Sequence, residues 1–182
     1  MIRIPRWLVA ILGVLFGFFH AGLGFASLDG YRNPFLAVLA IVLYLVAILA
    51  SMIFYRGPNL PIPQAIFNLV VAALVPLLIN SELDQHTADG YSTWYVIGIA
   101  TLMATTAVRQ QKLIAWIGTA ILVIQVIGWA GFIAGVQTGL IGAIMLVFSG
   151  HTISIGLRNA YRDTMAFTKL ALDTQKEKVV NA

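Results

Sequence analysis

The chain has 182 residues, of which 60% are hydrophobic and only 10% charged, with a mean hydropathy of +0.91. A soluble domain carries about 25% charged residues, so this composition excludes a soluble globular enzyme, a disordered chain and a nucleic-acid reader; the net charge of +4 is scattered between apolar blocks. Cysteine is absent, which removes disulfides, thiolate metal sites and a cysteine nucleophile.

About 20 apolar residues cross a bilayer as a helix, because every backbone amide in lipid needs an internal partner. Six such stretches occur: 7–28, 34–55, 61–80, 91–108, 113–132 and 136–156. The expected fold is therefore all-α: a polytopic bundle of six transmembrane helices over 1–156, followed by a cytoplasmic connector helix over 157–182. Arg3 and Arg6, Arg56, Arg109 and Lys112, and Arg158, Arg162, Lys169, Lys176 and Lys178 fall on one side, ten of the 11 basic residues; only Arg32 falls on the other, with Asp29, Glu82, Asp84 and Asp89. Because cytoplasmic loops attract Lys and Arg, both termini are expected in the cytoplasm of a cell with the bundle in its inner (plasma) membrane. Trp7, Tyr55 and Trp116 fall at the inner boundary and Tyr91, Trp94, Tyr95 and Trp129 at the outer one, where amphipathic rings sit well. The first span also has the features of a signal peptide, with a weak small-x-small site at 24–26; its length and glycine ladder favour retention.

Gly13, Gly17 and Ala21 in the first span, and Gly135, Gly139 and Ala143 in the sixth, form small-residue stripes that suit either packing within the chain or a homodimer face. Pro76 interrupts the third span. Asn68 in that span and Gln125 in the fifth are polar at membrane depth, as interhelical glue or as the lining of a path. His20 and His151 are intramembrane ionisable residues and so candidate sensing groups. Placed by helical rise, His20 lies about 20 Å above the inner end of its span and His151 about 8–9 Å above its own. That mismatch disfavours both as axial ligands of one haem. Residues two apart on a helix face apart, so Ser149 and His151 form no nucleophile–base pair. The external loop 80–90, NSELDQHTADG, brings Glu82, Asp84 and His86 as candidate sensing groups, with no spacing that matches a metal motif. No catalytic residue, cofactor or metal is expected.

Composition changes after Gly156. The 26 residues 157–182 hold eight charged residues and no Pro or Gly, and follow the sixth span without a break. A heptad sets Arg158, Met165, Leu172 and Val179 at one core position and Tyr161, Thr168 and Gln175 at the other. This suits either a dimer connector, carried by Met165, Thr168, Leu172 and Val179, or an amphipathic tail on anionic lipid.

Four blocks, YSTWYVIG at 91–98, AVR at 107–109, WIGT at 116–119 and FSGHTISIGL at 148–157, resemble the membrane region of actinobacterial sensor histidine kinases and related ATP-binding regulators. The resemblance implies a multi-span module that passes a signal through a helical connector to a cytoplasmic ATPase-type domain. The tail lacks a phosphoacceptor histidine and nucleotide-binding motifs, so the chain is expected to be the membrane part of a longer protein or a separate partner subunit, and not an enzyme by itself. Its expected partners are the lipid bilayer, a second copy of itself and a histidine-kinase-type output domain, with no nucleic acid. A small transporter or channel, and a haem or quinone redox protein using His20 and His151, are the rival readings.

Overall fold

A computed structural model describes residues 6–54, 59–84 and 91–180, with the backbone alone over 6–10, 12, 54 and 170–180. Arg3, Tyr55, Arg56, His86 and Asp89 lie outside the described residues, as do the side chains of Trp7, Leu172 and Val179. The described residues form helices and no strand. In chain order these are α1 (Arg6–Ala26), a 3-10 turn (Leu28–Gly30), α2 (Pro34–Leu49) widening into a π turn (Ala50–Phe54), α3 (Ile62–Glu82), α4 (Tyr95–Val108), α5 (Lys112–Ala130), α6 (Phe132–Gly135), a second π turn (Val136–Leu140) and α7 (Ile141–Val180).

Local chemistry sets these bounds. Pro34 starts α2, and the Asn33 side chain accepts from the Phe35 N–H at 3.1 Å, covering one of the amides left over at a helix start. Gly131, at φ 77°, ends α5, and Gly139, at φ 95°, breaks the helix before α7; both lie in the left-handed region that favours glycine. Among the described residues, four helical stretches are long and apolar enough to cross a membrane: Pro34–Ile53, Ile62–Glu82, Lys112–Ala130 and Phe132–Lys169. Gly13–Ala26 and Tyr95–Val108 are shorter apolar helices.

The fourth helix starts four residues later than its apolar run. Residues 91–94 form a turn closed by the Trp94 N–H on the Tyr91 carbonyl at 3.2 Å. The helix lies at the centre of the bundle. Twelve of its 14 residues are buried, and it packs against α1, α2, α3, α5 and α7. A helix apolar all round belongs inside, and this one is lined by small residues that let its neighbours approach. A Cβ added at Gly150 of α7 would stand 2.7 Å from the Ala104 carbonyl oxygen. One at Gly118 of α5 would collide with Met103 Sδ.

Within the expected aromatic belt, Trp94 and Tyr95 face the protein interior, buried at 2% and 0% exposure. The turn at 91–94 points them inward, where Trp94 meets the Tyr44 ring at 5.5 Å and the Tyr95 hydroxyl donates to Asn80 Oδ1. The small-residue stripes are likewise consumed within the chain. Gly13 faces Met52, Gly17 faces Ile48 and Tyr44, and Ala21 is buried; Gly135 faces Val126 and Ile127, Gly139 faces Ile97, and Ala143 is buried. The periphery is apolar instead: Phe18, Phe35, Val46, Leu77, Ile124 and Phe148, drawn from five helices, are all exposed.

Candidate functional site

A buried polar cluster joins α2, α3 and α4. The π turn widens the end of α2 by one residue, a device common at functional positions, and the turn carries Ser51 with its side chain fully buried. Gln64 and Asn68 stand four apart on α3 and so share a face; Thr106 comes from the last turn of α4. Asn68 Nδ2 donates to Ser51 Oγ at 2.8 Å and to Thr106 Oγ1 at 2.9 Å. Its Oδ1 accepts from Gln64 Nε2 at 3.0 Å and from the Ser51 hydroxyl at 3.2 Å. The Asn68 amide is thus saturated by protein groups, and the Thr106 hydroxyl passes its proton to the Leu102 carbonyl at 2.8 Å. All four side chains are neutral. The cluster holds three helices in register and offers no nucleophile–base pair.

Below it, three consecutive residues after α4 each grip a different element. Arg109 Nη1 donates to the Ser51 carbonyl at 2.9 Å, Gln110 Nε2 to the Ser154 carbonyl of α7 at 3.1 Å, and Gln111 Nε2 to the Leu60 carbonyl at 2.7 Å. The Leu60 N–H returns a bond to the Arg109 carbonyl at 2.9 Å. Gln110 adopts φ 70°, an uncommon conformation outside glycine. Held there by its own side-chain bond, it turns the chain between α4 and α5 tightly.

His151 lies on α7 opposite α5. Trp116 Nε1 donates to its Nδ1 at 3.0 Å. Indole nitrogen is a donor only, so Nδ1 carries no proton in this arrangement and any ring proton sits on Nε2. His20 is held differently: its Nδ1 donates to the Phe16 carbonyl at 2.8 Å, and its ring packs between Phe16 and Phe19. His20 and His151 have separate partners on separate helices. Ser149 is exposed and donates to the Met145 carbonyl at 2.8 Å, away from His151.

Asn68 and Gln125 are not brought together. Gln125 Nε2 donates at 3.0 Å to the Ala73 carbonyl of α3, next to the Ala72 carbonyl whose helical partner Pro76 lacks. Gln125 therefore ties α5 to α3 one residue from the carbonyl that Pro76 leaves without its helical donor. On the opposite end, Glu82 contributes its backbone carbonyl to the Arg32 N–H at 3.0 Å, and its carboxylate lies 3.4 Å from the Ser81 hydroxyl. Asp84 is exposed. Among the described residues no three His, Asp or Glu gather as metal ligands.

Among the described residues' buried donors without a protein partner, the Tyr44 hydroxyl and Trp94 Nε1 stand close together. They lie under α1 where it is thinnest. Gly17 and Gly24 face them, and a Cβ on Gly24 would stand 2.7 Å from Trp94 Nε1.

Ser51, Gln64, Thr106 and Gln110 were not singled out in the sequence. The signal for Gln64 was present, since it stands one turn before Asn68. Ser51 and Thr106 are small hydroxyls in apolar runs and look like ordinary helix residues until the π turn and α4 bring them to the same amide. The four sequence blocks at 91–98, 107–109, 116–119 and 148–157 converge on α4: Trp94 and Gly98 at its start, Ala107 and Arg109 at its end, Gly118 and Gly150 against its sides, and Trp116 bonded to His151.

A family model described as a domain of unknown function (DUF8320) matches residues 6–153. No curated protein and no solved structure matches the chain.

Proposed function

The chain belongs to the DUF8320 family, and we propose that it is a membrane signal-transmission module: six helices across the plasma membrane, both termini in the cytoplasm, and output through the tail of α7. The observation that carries this reading is the continuity of α7. One helix of 40 residues starts at the Gly139 break, packs on α4 through Ala143, Val147, Gly150 and Ser154, and continues to Val180. From Ser154 to Val180 it extends about 39 Å beyond its last buried contact. A shift of α7 against α4 is therefore delivered to the tail as a rigid displacement, the kind of helix movement that couples distant sites.

The exposed apolar periphery supports a lipid-facing exterior, and the one-sided distribution of Lys and Arg supports the orientation. The neutral, mutually bonded cluster at Asn68 supports a structural rather than a catalytic interior. Similarity of the four blocks to the membrane region of sensor histidine kinases is what names the output: a kinase-type or related cytoplasmic domain. The chain supplies the signal path and not the chemistry.

Reporter fusions at position 60 and at the C-terminus should read cytoplasm, and one at position 86 should read exterior. A sensor-kinase catalytic core fused after Ala182 should change its output with Gly150→Ala, which pushes α7 off α4, and not with Gly156→Ala. An external C-terminus, or kinase output indifferent to Gly150→Ala, overturns the reading.

A further inference from the structure

Helical phase assigns the tail a partner. Eighteen residues make about five turns of α-helix, so positions 18 apart share one face. Helix α7 packs chiefly on α4, with Gly150 against Ala104 and with Ala143 and Val147 buried on the same face of the helix. Their counterparts about five turns on are Tyr161, Met165 and Thr168, with Leu157 between the two sets near the same line. The packing seam therefore runs straight out of the bundle and continues uncovered: residues 155–169 are all exposed, Tyr161 at 60% and Met165 at 55%. At about 100° per residue, Arg158, Lys169 and Arg162 line one flank of this seam, about 60–100° round from Tyr161, while Asp163 is on the back. We propose that this seam is a docking face for an acidic amphipathic helix of a cytoplasmic protein, received beneath the bundle with its apolar stripe on Leu157, Tyr161 and Met165 and its carboxylates on Arg158, Arg162 and Lys169. The sidedness rests on the signal-transmission reading above.

The heptad alone calls for a second copy of the tail, but the phase turns that copy toward the side where α4 stands. In a parallel pair the partner's tail lies about 8–10 Å from α7 in the direction the seam faces. Straight above, in the membrane, that is where α4 stands. A partner α7 continuing upward as this one does would occupy the position of α4 and its neighbours. With α7 along the membrane normal, as the reading above has it, lipid is out of reach: Thr168 is about 21 Å along the helix axis from Ser154. An unattached helix has neither restriction, because nothing joins it to a membrane span. Helix-in-groove recognition reads apolar anchors at this spacing, and the unbalanced basic flank sets the partner's charge.

The test uses the full chain in nanodiscs of neutral phosphatidylcholine and two synthetic helical peptides of about 18 residues, each with Leu at a and d, one carrying Glu and the other Lys at e and g. The Glu peptide should bind and the Lys peptide should not. Tyr161→Asp and Met165→Asp should each weaken the Glu peptide about tenfold or more. Arg158→Glu with Arg162→Glu should reverse the preference between the peptides. All four positions are exposed, and circular dichroism of each variant confirms the intact helix. Equal binding of both peptides, or no response to the substitutions, overturns the proposal. So does disulfide dimerisation of a Met165→Cys chain in membranes, which makes the occupant a second copy, or binding of the tail that requires anionic lipid, which makes it the membrane surface. Failure of the signalling reading shows elsewhere, in an external C-terminal reporter, and leaves the peptide titration readable.

Discussion

Adding one methyl group at two glycines of α7 should shift stability in opposite directions. At Gly150 the new Cβ would meet the Ala104 carbonyl oxygen at 2.7 Å, its Cα at 3.0 Å and its carbonyl carbon at 3.1 Å. Ordinary contact begins near 3.4 Å, and all three atoms are backbone, so no side chain can rotate away. At Gly156 nothing lies within 4 Å. Both substitutions gain helix propensity, about 0.5–1 kcal/mol. At Gly156 that gain stands alone. At Gly150 it is opposed by overpacking, about 1–3 kcal/mol and toward the upper end because backbone must move. Gly156→Ala should thus stabilise by about 0.5–1 kcal/mol and Gly150→Ala destabilise by about 1–2. Since each kcal/mol is worth about 2–4 °C in a chain of this size, thermal unfolding in detergent should separate the two by about 5–10 °C. Shifts of the same sign, or two variants melting together, would refute the close α4–α7 contact and with it the rigid seam.

Tyr44→Phe removes a buried hydroxyl that has no protein partner, so it should be neutral or stabilising by up to about 1 kcal/mol in the same melt; a clear loss would mean that the hydroxyl is bonded. Trp116→Phe and His151→Phe should show a coupling of about 0.5–1.5 kcal/mol in a double-mutant cycle, reporting the Nε1–Nδ1 bond; an additive pair would deny it. Asn68→Leu strands the groups of Ser51 and Gln64 and should cost about 2 kcal/mol or more, whereas Gln125→Leu loses one bond but also discards a buried oxygen without a partner and should cost about 1 kcal/mol at most; equal costs would show that the Asn68 cluster is not the stronger tie.

Particular residues show where reading the chain alone stopped. The long apolar runs marked the helices, since composition and length decide which segments are apolar enough to form them, and Pro34 marked a start; the breaks at Gly131 and Gly139 fell inside the expected fifth and sixth spans and came only with the backbone. Asn68, Gln125 and His151 stood out because polar groups are rare in such runs. Their partners did not: Ser51, Thr106, the Ala73 carbonyl and Trp116 lie 17 to 52 residues away in the chain, and hydropathy is blind to which helices become neighbours. Trp94 and Tyr95 made the same point in reverse. Amphipathic rings at a helix end can face outward or inward at the same depth, and the turn at 91–94 aims these two into the core. Most of all, a run of apolar residues reads alike whether it faces lipid or lies at the centre. Helix α4 became central because Gly118 and Gly150 on its neighbours, and small residues of its own, allow other backbones to approach from several directions. That is a property of fitted surfaces, which exist only once the helices have met.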